Sequence, residues 1–350
     1  MKILVTGTAG FIGFFVAQRL AALHHEVIGV DCINNCYDVN LKYGRLSASG
    51  IDVNSLLNNI PVKSSLYPNY SFIKIDIADR LQMEHLFNTY QFDMVCHLAA
   101  KAGVRYSISN PHEYALGNLS GFLNILEGCR AVQIKHMVFA SSSSVYGLNE
   151  QTPFSVHNGA DHPVSLYAAS KKSNEMMAHS YSHLYNMPVT GLRFFAVYGP
   201  WGRPDMAYFK FTDAIFRGEP INIYNNGDMR RDFTYIDDVV EGIVRVLEKP
   251  ATPNAAWDAT HPDPSSSSAP YRIYNIGNSV PVPLLSFVAA LEKTIGKTAL
   301  KNMLPPQPGD LLSTDADMSD LERDFGYQPH TSIETGLNNF VTWYRDFYKI

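Results

Sequence analysis

The chain has 350 residues, of which 46% are hydrophobic and 17% are charged, and its formal net charge is −5 at pH 7. This length is enough for a large buried core and predicts two lobes. The acidic balance and the lack of Lys/Arg runs exclude a general nucleic-acid surface. No apolar run approaches the roughly 18 residues that span a membrane, and the first residues lack a signal-peptide pattern. We therefore expect a cytoplasmic protein with no membrane segment.

Apolar strand-like segments alternate with amphipathic helical segments in the first 194 residues, and Cys32–Asn69 carries a helical insertion around Asn40–Ser47. Such alternation is typical of a parallel sheet covered on both faces, so we predict an α/β fold with a Rossmann-type doubly wound sheet. The pattern predicts strand Lys2–Gly7, helix Phe11–Leu23, strands Glu26–Asp31 and Ser71–Ile77, helix Leu81–Tyr90, strand Asp93–Ala100, a helix near Glu113–Val132, strand Met137–Ser142, a helix containing Tyr167 and strand Val189–Phe194.

After Phe194 this rhythm changes, which predicts a smaller C-terminal α/β domain. Tyr198–Pro204 is a turn-rich loop, and Pro250–Pro270 is expected to be a long surface loop. Further on, the pattern predicts strand Arg272–Gly277 and helices Ser286–Ile295 and Ile333–Tyr348. We assign 1–194 to the first domain, with 235–280 returning to it, and 195–350 mainly to the second.

Three glycines, Gly7, Gly10 and Gly13, lie between the first strand and the first helix. They allow a tight turn, a close approach of backbone to a pyrophosphate and close helix packing, and the helix N-terminus favours phosphate. Asp31 follows at the end of the second strand, where a carboxylate accepts hydrogen bonds from an adenosine ribose and repels a 2′-phosphate. This favours NAD over NADP. Lys42 and Arg45 are expected on a solvated helix face.

Tyr167 and Lys171 are four residues apart in a predicted helix, so they share one face about 5–6 Å apart. There the Lys ammonium lowers the phenol pKa, which makes the Tyr a proton acceptor. The same spacing recurs at Tyr70 and Lys74, but in a predicted strand that separates the two groups by about 13 Å. Only the helical pair is therefore predicted to be catalytic.

A run of hydroxyls, Ser141–Ser144, ends the predicted strand Met137–Ser142. Carboxyl ends of parallel strands face the ligand crevice, so Ser142 is predicted to hydrogen-bond a substrate hydroxyl, with Ser143 and Ser144 in support. Cys32 and Cys36 lack the second ligand pair of a zinc site, so we expect reduced thiols and no metal.

Together these residues resemble the extended short-chain dehydrogenase/reductase family of NAD-dependent nucleotide-sugar enzymes, over nearly the whole chain. The subgroup most similar is the UDP-glucuronate 4-epimerases, through Tyr37–Tyr43, the loop ending at Tyr271, and Tyr198–Met206. The resemblance implies a UDP-sugar substrate, bound NAD and a homodimer packed through helices at about Glu113–Val132 and Ser165–Asn186.

The resemblance also implies roles for single residues. It implies further cofactor contacts at Phe11, Ile12, Asn34, Asp76, Ile77, Leu98, Ala99, Ala100, Lys101, Asn118 and Phe194. It implies UDP-sugar contacts at Ala196, Arg203, Asn222, Tyr224, Arg231 and Asp310.

Three positions depart from the subgroup, which usually has Thr at Ala196, Asn at Cys32 and Gln at Lys101. The missing hydroxyl at Ala196 matters most, because the subgroup's Thr resembles a ligand for the sugar carboxylate. The guanidinium of Arg203 is the predicted carboxylate clamp.

The predicted reaction is redox-neutral epimerisation at C4 of UDP-glucuronic acid to UDP-galacturonic acid through a 4-keto intermediate. UDP-glucose/UDP-galactose 4-epimerisation and UDP-glucuronate decarboxylation are alternatives on the same fold. A non-catalytic NAD sensor is a more remote one, since such proteins usually lose the Tyr or the Lys.

Overall fold

The computed structural model describes residues 1–306 and 312–350, so Asp310 lies outside the described residues. Its strands are β1 (Lys2–Thr6), β2 (Glu26–Asp31), β3 (Pro61–Lys63), β4 (Tyr70–Lys74), β5 (Met94–His97), β6 (His136–Ser142), β7 (Val189–Phe194), β8 (Ala196–Tyr198), β9 (Pro220–Ile223), β10 (Arg230–Tyr235), β11 (Tyr271–Ile276), β12 (Pro281–Pro283) and β13 (Leu300–Met303). Its helices are α1 (Phe11–Ala22), α2 (Val39–Ala48), α3 (Arg80–Tyr90), α4 (Val104–Ser109), α5 (Pro111–Tyr114), α6 (Gly121–Ala131), α7 (Leu166–Tyr185), α8 (Ala207–Arg217), α9 (Ile236–Glu248), α10 (Leu284–Ile295), α11 (Ser319–Phe325) and α12 (Ile333–Tyr348).

The largest sheet has eight strands in the order β11-β7-β6-β5-β1-β2-β4-β3. The strands from β7 to β4 in this order pair in parallel, and β3 is antiparallel to β4. The predicted doubly wound parallel sheet is confirmed. Its strand order reverses between β1 and β5, and ligands of such sheets bind beyond the carboxyl ends at this point.

The central strands are buried on both faces, which explains why they are continuously apolar in sequence. Leu4 on β1, Val95 on β5 and Val138 on β6 have no exposed surface. Helix α1 buries Phe14 and Leu20 on its inner face. Burial of each such side chain contributes roughly 1.5–3 kcal/mol, which makes this sheet a rigid frame for its strand ends.

The chain divides into two compact units. The first consists of Met1–Glu150, Ser155–Phe194 and Val240–Asn275. The second consists of Gln151–Phe154, Phe195–Val239 and Ile276–Ile350. The second unit contains a three-stranded sheet, β12-β10-β8, and a two-stranded parallel sheet of β13 and β9. In the described part of the chain, no helix has both the length and the hydropathy needed to cross a bilayer.

Several predicted elements differ in extent from the observed ones. Strand β4 ends at Lys74 rather than Ile77, and β5 ends at His97 rather than Ala100. The next two residues after β5 donate their N–H groups to the Thr6 hydroxyl, at 3.1 and 3.0 Å, instead of extending the ladder. The predicted helix Glu113–Val132 is interrupted by a π-helical segment, Ala115–Ser120.

Other elements were missed or placed wrongly in the sequence analysis. Strands β8, β9, β10, β12 and β13 are three to six residues long and are stabilised by pairing with distant segments, which sequence periodicity does not report. The loop Pro250–Pro270 is not wholly a surface loop, since Ser265–Ser267 are buried. The Asp263 carboxylate accepts the hydroxyls of Ser265 and Ser266, which satisfies them in this environment.

Candidate active site

Helix α7 carries the predicted catalytic pair. The Ser165 side chain caps its N-terminus by accepting the N–H of Ala168 at 3.1 Å. Tyr167 and Lys171 follow one turn apart, the Tyr half-buried and the Lys 2% exposed. The second Tyr/Lys pair lies on strand β4, with Tyr70 buried and its pKa raised by that burial. Helical context thus distinguishes the two copies.

The Lys171 ammonium is buried beside the end of β6. Its Nζ donates to the carbonyl of Ala140 at 2.8 Å, and burial lowers the Lys171 pKa to about 8. An ammonium has three N–H donors, so Lys171 can donate further hydrogen bonds to a bound ligand. Ala140 is two residues before Ser142, so the Lys lies at the strand end that bears the serines.

The serine run turns away from the sheet directly after β6. Ser142 starts a 3₁₀ turn over Ser143–Tyr146, its Oγ accepting the Ser144 N–H at 3.2 Å and lying 3.0 Å from the Ser144 Oγ. Ser142 pairs in register with Phe194, the last residue of β7. The two strand ends therefore place Ser142 and Phe194 side by side.

The glycine turn has the geometry of a phosphate site. Gly7 has φ +78°, and a Cβ there would lie 2.9 Å from the Ala99 nitrogen. A Cβ on Gly13 would collide with the Gly7 carbonyl, so helix α1 packs directly on the turn. Gly10 is the N-cap of α1 and provides no side-chain cap. The turn thus brings backbone N–H groups of Phe11 and Ile12 to the start of a helix, where anions bind.

Asp31 at the end of β2 is nearly buried and hydrogen-bonded. Its Oδ1 accepts the Ile33 N–H at 2.8 Å and lies 3.9 Å from the Lys42 Nζ. The Lys42 ammonium also donates to the Asn34 side chain at 2.9 Å. This ordered carboxylate suits a ribose, which offers hydroxyl donors.

The expectation of a solvated face for Lys42 and Arg45 is wrong. Lys42 is 4% exposed and Arg45 is fully buried. The Arg45 guanidinium donates to the carbonyl of Ala9 at 2.8 Å and to the Tyr37 hydroxyl at 2.7 Å. A buried guanidinium thus braces the glycine turn itself, which no local pattern in α2 indicated.

The loop after β5 is held against the same turn. The Thr6 hydroxyl accepts from Leu98 and Ala99 and lies 2.9 Å from the His97 Nδ1. Burial, aided by the Lys171 charge, lowers the His97 pKa to about 3, so the ring is neutral. Thr6 was missed in sequence reasoning, although a hydroxyl directly before the glycine turn was a possible signal.

Asn118 joins this loop to helix α7. It is buried in the π-helical segment, its side chain bonds both the N–H and the carbonyl of Lys101 at 2.8 and 2.9 Å, and it donates to the Ser170 hydroxyl at 3.0 Å. The unusual Lys101 now has an explanation, since its Nζ is 2.7 Å from the Glu113 carboxylate. The remaining predicted cofactor residues lie in loops after the strands, Asp76 exposed, Ile77 buried and Ala100 half-buried.

The predicted UDP-sugar residues lie in the second unit. Ala196 is on β8, half-buried, and the exposed Asn222 on β9 accepts a hydrogen bond from the Asn302 amide at 2.9 Å. Tyr224 follows β9, and the Arg231 guanidinium donates to the carbonyl of Arg230 at 2.9 Å. Asp310 lies outside the described residues.

Arg203 already binds a carboxylate of its own chain. Its Nε and Nη2 donate to the two oxygens of Asp205 at 3.0 and 2.6 Å. This is the bidentate geometry expected for a carboxylate ligand. A substrate carboxylate at Arg203 would therefore share the guanidinium with Asp205 or replace it. Within the described residues, no group of His, Cys, Asp and Glu is arranged to hold a metal ion.

Comparisons with known proteins agree with this architecture. The family model of the NAD dependent epimerase/dehydratase family matches residues 3–277. A probable UDP-glucuronate 4-epimerase of Rhizobium meliloti is 46% identical over 350 residues, covering all of this chain and 98% of the relative. UDP-glucuronate 4-epimerase 2 of Arabidopsis thaliana is 42% identical and is covered to 77%.

A solved structure is similar over the full length. The UDP-glucuronic acid 4-epimerase of Bacillus cereus, crystallised with UDP-glucuronic acid and NAD, superposes with a TM-score of 0.84 at 30% identity, covering 99% of this chain and 100% of that one. The doubly wound sheet, the glycine turn and the family match together define the class as an NAD-dependent short-chain dehydrogenase/reductase. The chain belongs to the NAD dependent epimerase/dehydratase family, and the predicted family and cofactor are confirmed.

Proposed function

We propose that this enzyme interconverts UDP-glucuronic acid and UDP-galacturonic acid by epimerisation at C4, with NAD bound. The observation that carries the proposal is the buried Lys171, one helical turn after Tyr167 and hydrogen-bonded to the carbonyl of Ala140 at the end of β6. The similarity to UDP-glucuronate 4-epimerases supports this substrate among the sugars that such a site accepts. The cytoplasmic location stays a prediction from sequence.

The residues of the first unit fit a dinucleotide. The glycine turn and the start of α1 would hold the pyrophosphate, and the ordered Asp31 would accept the adenosine ribose hydroxyls. The Lys171 ammonium would donate hydrogen bonds to the hydroxyls of the nicotinamide ribose. When bound, NAD supplies the acceptor, and later the donor, of the hydride exchanged with the sugar C4.

The proton chemistry belongs to Tyr167, Lys171 and Ser142. The Ser142 hydroxyl orients the sugar 4-hydroxyl, and the Tyr167 oxygen accepts its proton. The Lys171 ammonium stabilises the phenolate, since a nearby positive charge lowers a phenol pKa. The 4-keto sugar must then present its opposite face, which requires a loosely held sugar and a tightly held diphosphate.

Residues of the second unit would bind the diphosphate and the uridine of the substrate. Arg231 is proposed for the phosphates, Asn222 and Tyr224 for the uracil, and Asp310 for the uridine ribose. Arg203 is proposed to hold the sugar carboxylate. The 4-keto sugar is a β-keto acid, which loses carbon dioxide when the breaking C–C bond overlaps the carbonyl π system. Arg203 would hold the carboxylate out of that alignment, so this contact would favour epimerisation over decarboxylation.

The test is incubation with UDP-glucuronate, UDP-glucose and UDP-xylose without added reductant, followed by sugar analysis. We expect UDP-galacturonate from the first and little change in the others. Tyr167→Phe should lower kcat by roughly 10²–10⁴-fold. A full rate with Tyr167→Phe contradicts every enzymatic reading, whereas turnover of UDP-glucose alone, insensitive to Arg203→Ala, favours a neutral-sugar epimerase.

We also propose that the chain forms a homodimer through the α6 and α7 region. Leu116, Leu123, Met176 and Leu184 are 41–67% exposed there, which is unusual for so many large apolar side chains on adjacent elements. Sedimentation should therefore give twice the chain mass, and Leu123→Glu with Met176→Glu should give the monomer. The matched control is Leu81→Glu with Leu300→Glu, two exposed leucines elsewhere. A monomeric wild type would refute this proposal.

A further inference from the structure

A buried ion pair lies behind the predicted proton site and has no role in the mechanism above. The Glu175 carboxylate on α7 accepts the Nε and Nη2 of Arg193 on β7, both at 2.9 Å. It also accepts the Ser141 hydroxyl on β6 at 2.7 Å. The side chains of Glu175 and Arg193 are 1% and 0% exposed. One carboxylate therefore ties together the three elements that bear the site.

Stability alone does not account for this pair. Taking two charges out of water costs several kcal/mol for each ion, and well-packed apolar replacements of buried pairs are often as stable. What the pair adds is geometry, because a two-point guanidinium contact fixes the relative orientation of its two elements.

The position of the pair is matched to the site. Glu175 is four residues after Lys171 and eight after Tyr167, so the three side chains follow one face of α7 over about 12 Å. Ser141 directly precedes Ser142, and Arg193 directly precedes Phe194. Each partner of the carboxylate is thus next in sequence to a predicted site residue.

The charges around the pair define its electrostatic effect. The Lys172 Nζ lies 3.4 Å from the Glu175 Oε2, and the Tyr146 ring lies 4.8 Å from the Arg193 guanidinium carbon. Burial beside the Glu175 charge raises the pKa of the Tyr271 hydroxyl, which therefore stays neutral. The His97 ring, whose pKa is lowered by burial and by the Lys171 charge, is neutral as well. The Glu175 and Arg193 charges offset each other, and the Lys172 ammonium also lies 4.0 Å from the Asp161 carboxylate. The Lys171 charge is therefore left to act on Tyr167.

We propose that Glu175 and Arg193 are positioning residues, which hold the ends of β6 and β7 against α7 and, as a neutral pair, preserve the effect of Lys171 on Tyr167. This inference rests on the proposed function for its catalytic consequence. Its electrostatic part is a property of the protein without substrate, so the two can fail separately.

The test is the titration of Tyr167, measured as the absorbance difference between each protein and its Tyr167→Phe counterpart. Glu175→Gln removes a negative charge about 12 Å along α7 from Tyr167 and leaves the Arg193 charge unpaired, so the Tyr167 midpoint should fall by about one pH unit. The double variant Glu175→Gln/Arg193→Met removes both charges of the pair and should return to the wild-type midpoint.

The matched control is Glu84→Gln, which breaks an exposed ion pair with Arg80 on α3 and should leave the Tyr167 midpoint unchanged. An unmoved midpoint in Glu175→Gln, or a double variant that keeps the shift, overturns the electrostatic part.

The positioning part is read from kinetics. The double variant should lose about tenfold in kcat with KM within twofold, although its Tyr167 midpoint is normal. Arg193→Lys keeps the positive charge, so its Tyr167 midpoint should equal that of the wild type and its kcat should exceed that of the double variant. If the double variant does not fold, Arg193→Lys provides the test. A wild-type kcat in the double variant, or a shifted midpoint in Arg193→Lys, refutes the proposal. A wild type inactive on UDP-glucuronate would refute the proposed function and leave the titration result intact.

Discussion

At the scale of single residues, the site combines side chains whose roles follow from their immediate partners. Lys171 is buried with a carbonyl partner, and Asn118 uses its amide to join a loop to helix α7. Arg203 differs from these, because it is satisfied by Asp205 in the chain itself. Two predictions concern the recognition of the sugar carboxylate by this part of the molecule.

Asp205→Asn removes a carboxylate that competes for the Arg203 guanidinium. We expect KM for UDP-glucuronate to fall several-fold, because the substrate no longer displaces a charged partner. Steady-state kinetics measure this, and Asp213→Asn, which breaks the Arg217 pair on α8, is the matched control. An unchanged or higher KM in Asp205→Asn would argue against a substrate carboxylate at Arg203.

Ala196 provides no hydroxyl to a sugar carboxylate, and a hydrogen bond to a charged group contributes roughly 1.5–3 kcal/mol. We expect the wild type to release some decarboxylated UDP-pentose, and Ala196→Thr to reduce it. Mass spectrometry of the reaction mixture measures the ratio. A wild type without pentose product, unchanged by the substitution, would contradict this.

At the scale of elements, helix α7 is positioned at its start by a cap and along its length by polar contacts. Ser165 caps it, Asn174 donates to the Asn118 carbonyl at 2.7 Å, and Glu175 binds β7. The apolar face that usually anchors a helix is supplemented here by bonds of defined direction. This suits the proposed role of α7, which is to hold Tyr167 and Lys171 in place.

Ser165→Ala removes the cap of α7 and should cost about 1 kcal/mol of unfolding free energy. Because Tyr167 lies in the first turn, kcat should fall several-fold as well. Ser332→Ala removes the same kind of cap from α12, where the Ser332 side chain accepts the N–H of Thr335, and should cost similar stability with kcat unchanged. Urea unfolding and steady-state rates measure both. Equal kcat in the two variants would contradict a link between the cap and the site.

At the scale of the whole molecule, buried neutral histidines make stability depend on pH. The His136 ring is fully buried, with its two nitrogens 3.0 Å from the Leu247 carbonyl and 2.9 Å from the Thr190 hydroxyl. Burial lowers the His136 pKa to about 4, and that of His97 to about 3. In the unfolded chain both rings take up a proton near pH 6.5.

Between these values the unfolded chain binds more protons than the folded one, so stability is fully present above about pH 6.5 and is lost as pH falls. Each His contributes up to about 1.4 kcal/mol per pH unit, with the His136 part ending near pH 4. Urea unfolding at about pH 7 and about pH 5 should show a smaller decrease for His136→Asn than for wild type. His261→Asn, at a ring with 88% exposure, is the control. Equal decreases in wild type and His136→Asn would refute the assignment.

The sequence by itself determined the sheet and the glycine turn. It also predicted Asp31 as a ribose ligand and Tyr167 and Lys171, rather than Tyr70 and Lys74, as the catalytic pair. These depend on local periodicity and spacing, which a single chain reveals because backbone geometry repeats within each element. The glycine turn and Asp31 predicted NAD as the cofactor, and the family resemblance then supplied the substrate class.

Only the tertiary structure decided the rest. It buried Lys42 beside Asp31 and Arg45 against the glycine turn. It also paired Lys101 with Glu113 and Arg203 with Asp205, and it joined Glu175 on α7 to Arg193 on β7 and Ser141 on β6. The short strands of the second unit likewise depend on distant partners. Packing determines which segments far apart in sequence bury or pair with one another. Local residue patterns therefore do not predict the partner of a charged side chain.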